Sequence, residues 1–230
     1  STTPIYVENM RAIFANDDDT RAWLATTWQV DEQHPGKLLR EFIERTWPEF
    51  DYDASYARFL AAYVPRCDAS LLRASASLEA LSRCVTETYA AIYYRMLAAH
   101  TNDAELKALL TQLSRDEVHH FQYFRKSHER NQAIESSSLR SRVGVIIERS
   151  RLAADEDAGI GFRYLNEGWS GEPPFTPLDY EAFWNAAARV FERHYPFKES
   201  ERMLLAPFKG ESRPTRAMLR FVADVVRWQA

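Results

Sequence analysis

The chain has 230 residues, a formal net charge of −4 and 46% apolar residues, enough for one well-buried core and a single domain over 1–230. The acidic balance gives no general drive toward nucleic acid or an anionic membrane, and no run approaches the roughly 20 apolar residues of a membrane span. Two cysteines, Cys67 and Cys84, exclude a disulfide framework, a Cys-rich zinc site and an iron–sulfur cluster held by this chain alone. They fit a reducing compartment, and the start "STTPIYVENM" has neither a basic nor an apolar leader region, so the expected location is the cytoplasm.

A low glycine content, seven in all, favours long helices over a turn-rich β protein. The apolar periodicity predicts a short helix over 4–15, stopped by "NDDD", whose acids suit the start of the next helix over 19–46. An aromatic, Pro-containing connection ("TWPEFDYDASYARFLAAYVP") leads to a long helix over 68–100. "HTND" breaks it, with Asn102 or Asp103 as N-cap, and a fourth helix runs over 104–135. Beyond it, "SSSLRSRVGVIIERSRLAADEDA" reads as helical and "GIGFRYLNEGWSGEPPFTP" as a loop, followed by helices over 178–195 and 214–229. No hairpin signal and no solenoid repeat is present. The expected architecture is all-α: a four-helix core over 1–135 with additional helices of 136–230 packed on it.

The second and fourth helices carry charge on their apolar stripes. In "WQVDEQHPGKLLREF", Leu24, Trp28, Asp31, Leu38 and Phe42 fall near one face, with His34 three residues after Asp31. Pro35 cannot donate to the carbonyl of Asp31, so a kink is expected there. In "LSRDEVHHFQYF", Glu117 and His120 continue the Leu106, Leu109, Leu110, Leu113 stripe, whereas Asp116 and His119 share a flank with Gln112 and Arg115. Given 33 acids and six histidines, about one acid-x-x-His pair is expected by chance; the chain has three. Two of them in core phase, on separate helices, point to a shared cation.

A bundle metal site of this kind takes one Glu from each of two further helices. Glu87, in "RCVTETYAAIYY", lies on an otherwise uncharged stripe with Ala80, Cys84, Ala91 and Tyr94, where a free carboxylate is costly unless paired or metal-bound. On the first helix the candidate is Glu8, near Ile5 and Ala12, whose other reading is a solvated surface acid. Such a mixed oxygen and nitrogen donor set suits iron or manganese.

These residues resemble a family. "TRAWLATTWQVDEQHPGKLL" and "SRDEVHHFQYF" look like the two acid-x-x-His helices of the soluble acyl-carrier-protein desaturases, within the wider ferritin-like di-iron carboxylate superfamily, over residues 4–130. The resemblance implies a ferritin-like bundle with Glu8, Asp31, His34, Glu87, Glu117 and His120 as ligands of two iron ions, or a manganese–iron pair. It implies an O2-dependent oxidase or oxygenase of desaturation or hydroxylation type, with a small organic or carrier-bound acyl substrate. Electrons would come from an external ferredoxin or reductase, since the chain has no nucleotide-binding glycine loop. An acyl carrier protein is a further expected partner, and a homodimer the expected assembly. Departures are Asp31 where the family has Glu, and Ala90 where it has Thr one turn after the third-helix Glu.

Other features have two readings. Trp28, Tyr89, Tyr93, Tyr94, Phe121, Tyr123 and Phe124 either line a channel or fill the core; Arg140, Arg142, Arg149 and Arg151 either receive an acidic carrier or form a solvated face. Two competing functions share the pattern: a ferritin-like iron-binding protein without organic substrate, and a metal-free helical interaction protein whose acid–His pairs are buried ion pairs.

Overall fold

The computed structural model describes residues 2–152, 157–169 and 180–212. Eleven α-helical stretches account for most of them: α1 (Thr3–Ile13), α2 (Asp18–Trp23), α3 (Gln29–Asp31), α4 (Gln33–Thr46), α5 (Tyr52–Tyr63), α6 (Ala76–His100), α7 (Ala104–Glu135), α8 (Leu139–Leu152), α9 (Asp157–Glu167), α10 (Tyr180–His194) and α11 (Phe197–Leu205). Among the described residues the only β pairing is the isolated bridge between Phe50 and Trp169, so the chain is all-α. No described helix is long and apolar enough to cross a membrane. The expected helix over 214–229 lies outside the described residues.

Helices α6 and α7 form the central antiparallel pair, joined by a three-residue turn. Asp103 caps α7 by accepting from the Leu106 amide at 2.8 Å. At the far end, the Glu135 carboxylate closes the hairpin on the start of α6, accepting from the Ala76 amide at 3.1 Å and the Ser77 amide at 2.9 Å. A negative group there satisfies otherwise orphaned amides and meets the positive end of the helix dipole. Helices α8, α10 and α11 pack on α6, and α4 lies against α7. Helix α1 contributes Val7, Met10 and Phe14 to a core shared with Leu24, Trp28, Ala80, Cys84, Ile92, Phe121 and Phe124.

Several elements differ from the sequence expectation, among them α11, which falls where no helix was expected. The 46–65 connection contains α5, started by Asp51, which accepts from the Ala54 amide. The long third helix begins at Ala76, because Asp68 caps a short 3-10 turn and Ser75 supplies the cap of α6. The first half of the expected Gly-rich loop is α9, where Phe162 packs against Phe183 and Tyr180, outweighing two helix-weakening glycines. Gly168, just after α9, is required by close approach: a Cβ there would lie 2.1 Å from the Phe50 ring, and its carbonyl accepts from the Asp51 amide.

The α2–α4 run is anchored at its start by Asp17. Its carboxylate accepts from the Thr20 amide at 3.0 Å and hydroxyl at 2.7 Å, and from Asn131 of α7 at 2.7 Å; the Arg130 guanidinium lies 3.2 Å away. Burial works to raise the Asp17 pKa, but the Thr20 and Asn131 hydrogen bonds and Arg130 outweigh it and hold the carboxyl below its ordinary value. An Asp17→Ala variant is expected to lose about 2 kcal/mol of stability. Because the folded pKa is the depressed one, this contribution is complete above the unfolded value of about 4 and is lost as the pH falls through the folded value. Denaturation at pH 6 should therefore separate variant from wild type, and the gap should narrow at pH 3.

Candidate metal centre

The run from Asp18 to Thr46 carries one irregularity that decides the site. Leu24–Trp28 is a π-helical turn, in which the Gln29 amide reaches back to the carbonyl of Leu24. A π turn inserts about one extra residue into the helical phase. The stripe that a regular helix would carry from Leu24 to Asp31 arrives one residue later, at Glu32. Downstream, the buried positions are Pro35 and Phe42, while Asp31 and His34 are exposed. At Glu32, between α3 and α4, the backbone stays in the right-handed helical region and its amide still bonds the Trp28 carbonyl at 2.9 Å.

Glu32 thereby joins Glu87 of α6 and Glu117 and His120 of α7. These four residues offer ligand atoms that all lie within 4.8 Å of one another. The Nδ1 atom of His120 is 3.0 Å from Glu32 Oε1, 3.2 Å from Glu117 Oε2 and 3.9 Å from Glu87 Oε2. Its Nε2 points the other way, 3.5 Å from Asp31 Oδ2. Glu87, Glu117 and His120 are buried. Trp23 packs edge-on to the His120 ring at 6.0 Å and stacks on Tyr123 at 3.9 Å, closing one side of the imidazole.

Three carboxylates converging in the core strain one another electrostatically. Burial pushes the Glu87 carboxyl well above its ordinary range, and the neighbouring charges of Glu32 and Glu117 push it further. Burial also raises Glu32, against the hydrogen bond from His120. Burial alone would lower His120, but hydrogen bonding to Glu117 and Glu32 and the charge of Glu87 outweigh it and carry the imidazole to about 11. The cluster therefore calls for positive charge at its centre. Its donors, three carboxylate arms and one imidazole, fit a cation that accepts mixed oxygen and nitrogen ligands, such as ferrous or manganous ion.

Of the six residues expected as ligands, the structure brings together Glu87, Glu117 and His120. Glu8 lies apart from them: its side chain is 80% exposed and faces Arg11, because α1 buries Thr3, Val7 and Met10 instead. Asp31 and His34 sit at the mouth of a cavity of about 520 Å³, lined also by Lys37, Asp116, His119 and, at its floor, His120. Glu32, absent from the expected set, replaces Asp31 as the carboxylate of this helix. The π turn that selects it has no clear signature in the sequence.

Other expected roles also resolve. Trp28, Phe121 and Phe124 are core residues. Tyr89 donates to Ser150, and Tyr93 is 54% exposed. Tyr94 is half-buried near the cluster; burial and the charges of Glu117 and Glu32 raise its pKa. The arginines of α8 do not form one solvated face: Arg142 pairs with Glu211 and covers the Phe208 ring, and Arg149 donates to Thr86. Arg140 is exposed. The Arg151 side chain lies outside what the structure describes.

Comparison of the chain with protein-family models, with curated proteins and with solved structures gave no match.

Proposed function

We propose that this protein is an O2-dependent non-haem iron oxidoreductase, acting on a small organic substrate by desaturation or hydroxylation. The observation that carries this reading is the convergence of buried Glu87, Glu117 and His120 with half-buried Glu32 around one point. Iron bound there would supply O2 activation, which no side chain of the chain can perform alone. The protein's part is to hold and orient. Glu32, Glu87 and Glu117 would bind through carboxylate oxygens and His120 through Nδ1. Asp31, 3.5 Å from Nε2, is placed to accept the second ring proton and fix the tautomer. Trp23 keeps bulk water from one face of the ring, and the cavity over His120 gives the substrate its approach.

The residues lining that cavity are polar or charged except for Val30, although carbon atoms supply more than half of the surface they present. The polar groups, with His34, His119, Asp31 and Asp116 at the mouth, favour passage of a hydrated cation, the feature an iron-binding protein without organic substrate would share. Electrons would come from an external ferredoxin or reductase.

The test supplies iron-loaded protein with labelled O2 and an excess of reduced ferredoxin as electron donor, and mixes it with a panel of small amines, carboxylic acids and acyl thioesters. The expected result is a product that has gained one labelled oxygen atom or lost two hydrogens, in proportion to protein. Iron oxidation with no modified organic product, and continued uptake of further iron, would favour iron handling instead.

A further inference from the structure

We infer, building on the metal-centre reading, that the cluster holds a single cation and not the pair that two acid-x-x-His motifs imply. The two helices that meet at the site are not equivalent. On α7, Glu117 is followed three residues later by His120, so both face the same point. On the α3–α4 run the carboxylate that reaches the site is Glu32, and the residue three positions on is Pro35. Pro35 is buried on the inner face and has no donor atom. His34, one residue earlier, is exposed at the cavity mouth. Among the described residues, therefore, no second imidazole joins the centre, although a histidine stands beside its place in sequence.

Among the described residues no fourth carboxylate joins the cluster. Helix α1 turns Val7 and Met10 inward, and Glu8 points to solvent. On α6, one turn before Glu87, stands a fixed cation: Arg83 is buried, bound to Glu79 at 2.7 Å and placed 5.7 Å from the ring centroid of Tyr6 of α1. A guanidinium beside Glu87 opposes a second dication on that side. Asp31 cannot complete the set without moving, since its oxygen lies against Nε2, on the side of the His120 ring away from the three glutamates. Three carboxylates balance one ferric ion in charge, and with one imidazole they provide four ligands to a single ion. Two ions would share the same four.

The experiment is anaerobic titration of the full chain with ferrous ion, followed by metal counting and, after oxidation, electron paramagnetic resonance. The expected result is a break at about one iron per chain and the signal of an isolated high-spin ferric ion. A break at about two per chain, with the signal lost to coupling between ions, would overturn this inference and leave the metal-centre reading standing. No break at all would overturn both. His34→Ala should leave the stoichiometry and affinity unchanged. Loss of iron in that variant would return His34 to the ligand set and refute the single-ion centre.

Discussion

Replacing His120 by Ala is expected to weaken ferrous binding by about a hundredfold or more, equivalent to about 2.7 kcal/mol. His120 is the sole nitrogen donor of the described cluster, and its Nδ1 lies within 3.9 Å of all three glutamates. The same change removes the group whose hydrogen bonds oppose the desolvation of Glu32, so the unloaded variant should also lose roughly 3–5 kcal/mol of stability. His120→Gln separates the two effects by keeping most of the volume and one donor. Its fold should survive while metal binding stays impaired. Asp31→Asn provides the graded companion: as a group that orients His120 rather than a ligand, its loss should cost about ten- to a hundredfold in affinity. Metal content by mass spectrometry after equilibrium dialysis reads all three. If the acid–His pairs are instead plain ion pairs of a metal-free interaction protein, stability alone will change.

The second large effect is expected at Arg83, well inside the core. Its Nε donates to Glu79 Oε1 at 2.7 Å, and both side chains are almost completely buried. Glu79 Oε2 also accepts from the Arg73 amide at 2.8 Å, which ties the start of α6 to the preceding segment. Burial disfavours the charge on Arg83, but Glu79 and Glu87 more than compensate and raise its pKa. Arg83→Ala leaves Glu79 charged and unpaired in the core and should cost about 3–5 kcal/mol. For a chain of this size that lowers the melting temperature by roughly 10 °C. Exchanging both partners for Met should recover much of the loss, because the penalty comes from the abandoned charge and not from the absence of the pair. Thermal unfolding of the single and double variants tests this. A single variant as stable as wild type would show that Glu79 is not held by Arg83.

These expectations differ in how far they were legible in sequence. Glu87, Glu117 and His120 stand on α6 and α7, which are regular, well capped and packed on each other. On such helices the 3.6-residue period carries phase faithfully over many turns, so polar residues interrupting an apolar stripe really do face the core. On the α2–α4 run the same reasoning selects Asp31 and His34, and the structure puts Glu32 and Pro35 on the inner face. The π turn at Leu24–Trp28 accounts for the difference, since one inserted residue moves every later side chain about a quarter-turn around the axis. Glu8 had no long stripe to fix its phase, and the short α1 settles by burying Val7, Met10 and Phe14. Arg83 was missed for another reason: its i, i+4 spacing from Glu79 is visible in the sequence, but such a pair ordinarily faces solvent, and its burial follows from the packing around α6.

The most direct test of the metal centre is a crystal structure of the iron-loaded protein with diffraction data collected above and below the iron absorption edge. An anomalous peak is expected within about 2.1 Å of His120 Nδ1 and of carboxylate oxygens from Glu32, Glu87 and Glu117. An iron-loaded crystal with no peak among these four residues, or with its peak on Glu8 or His34, would contradict the metal-centre reading.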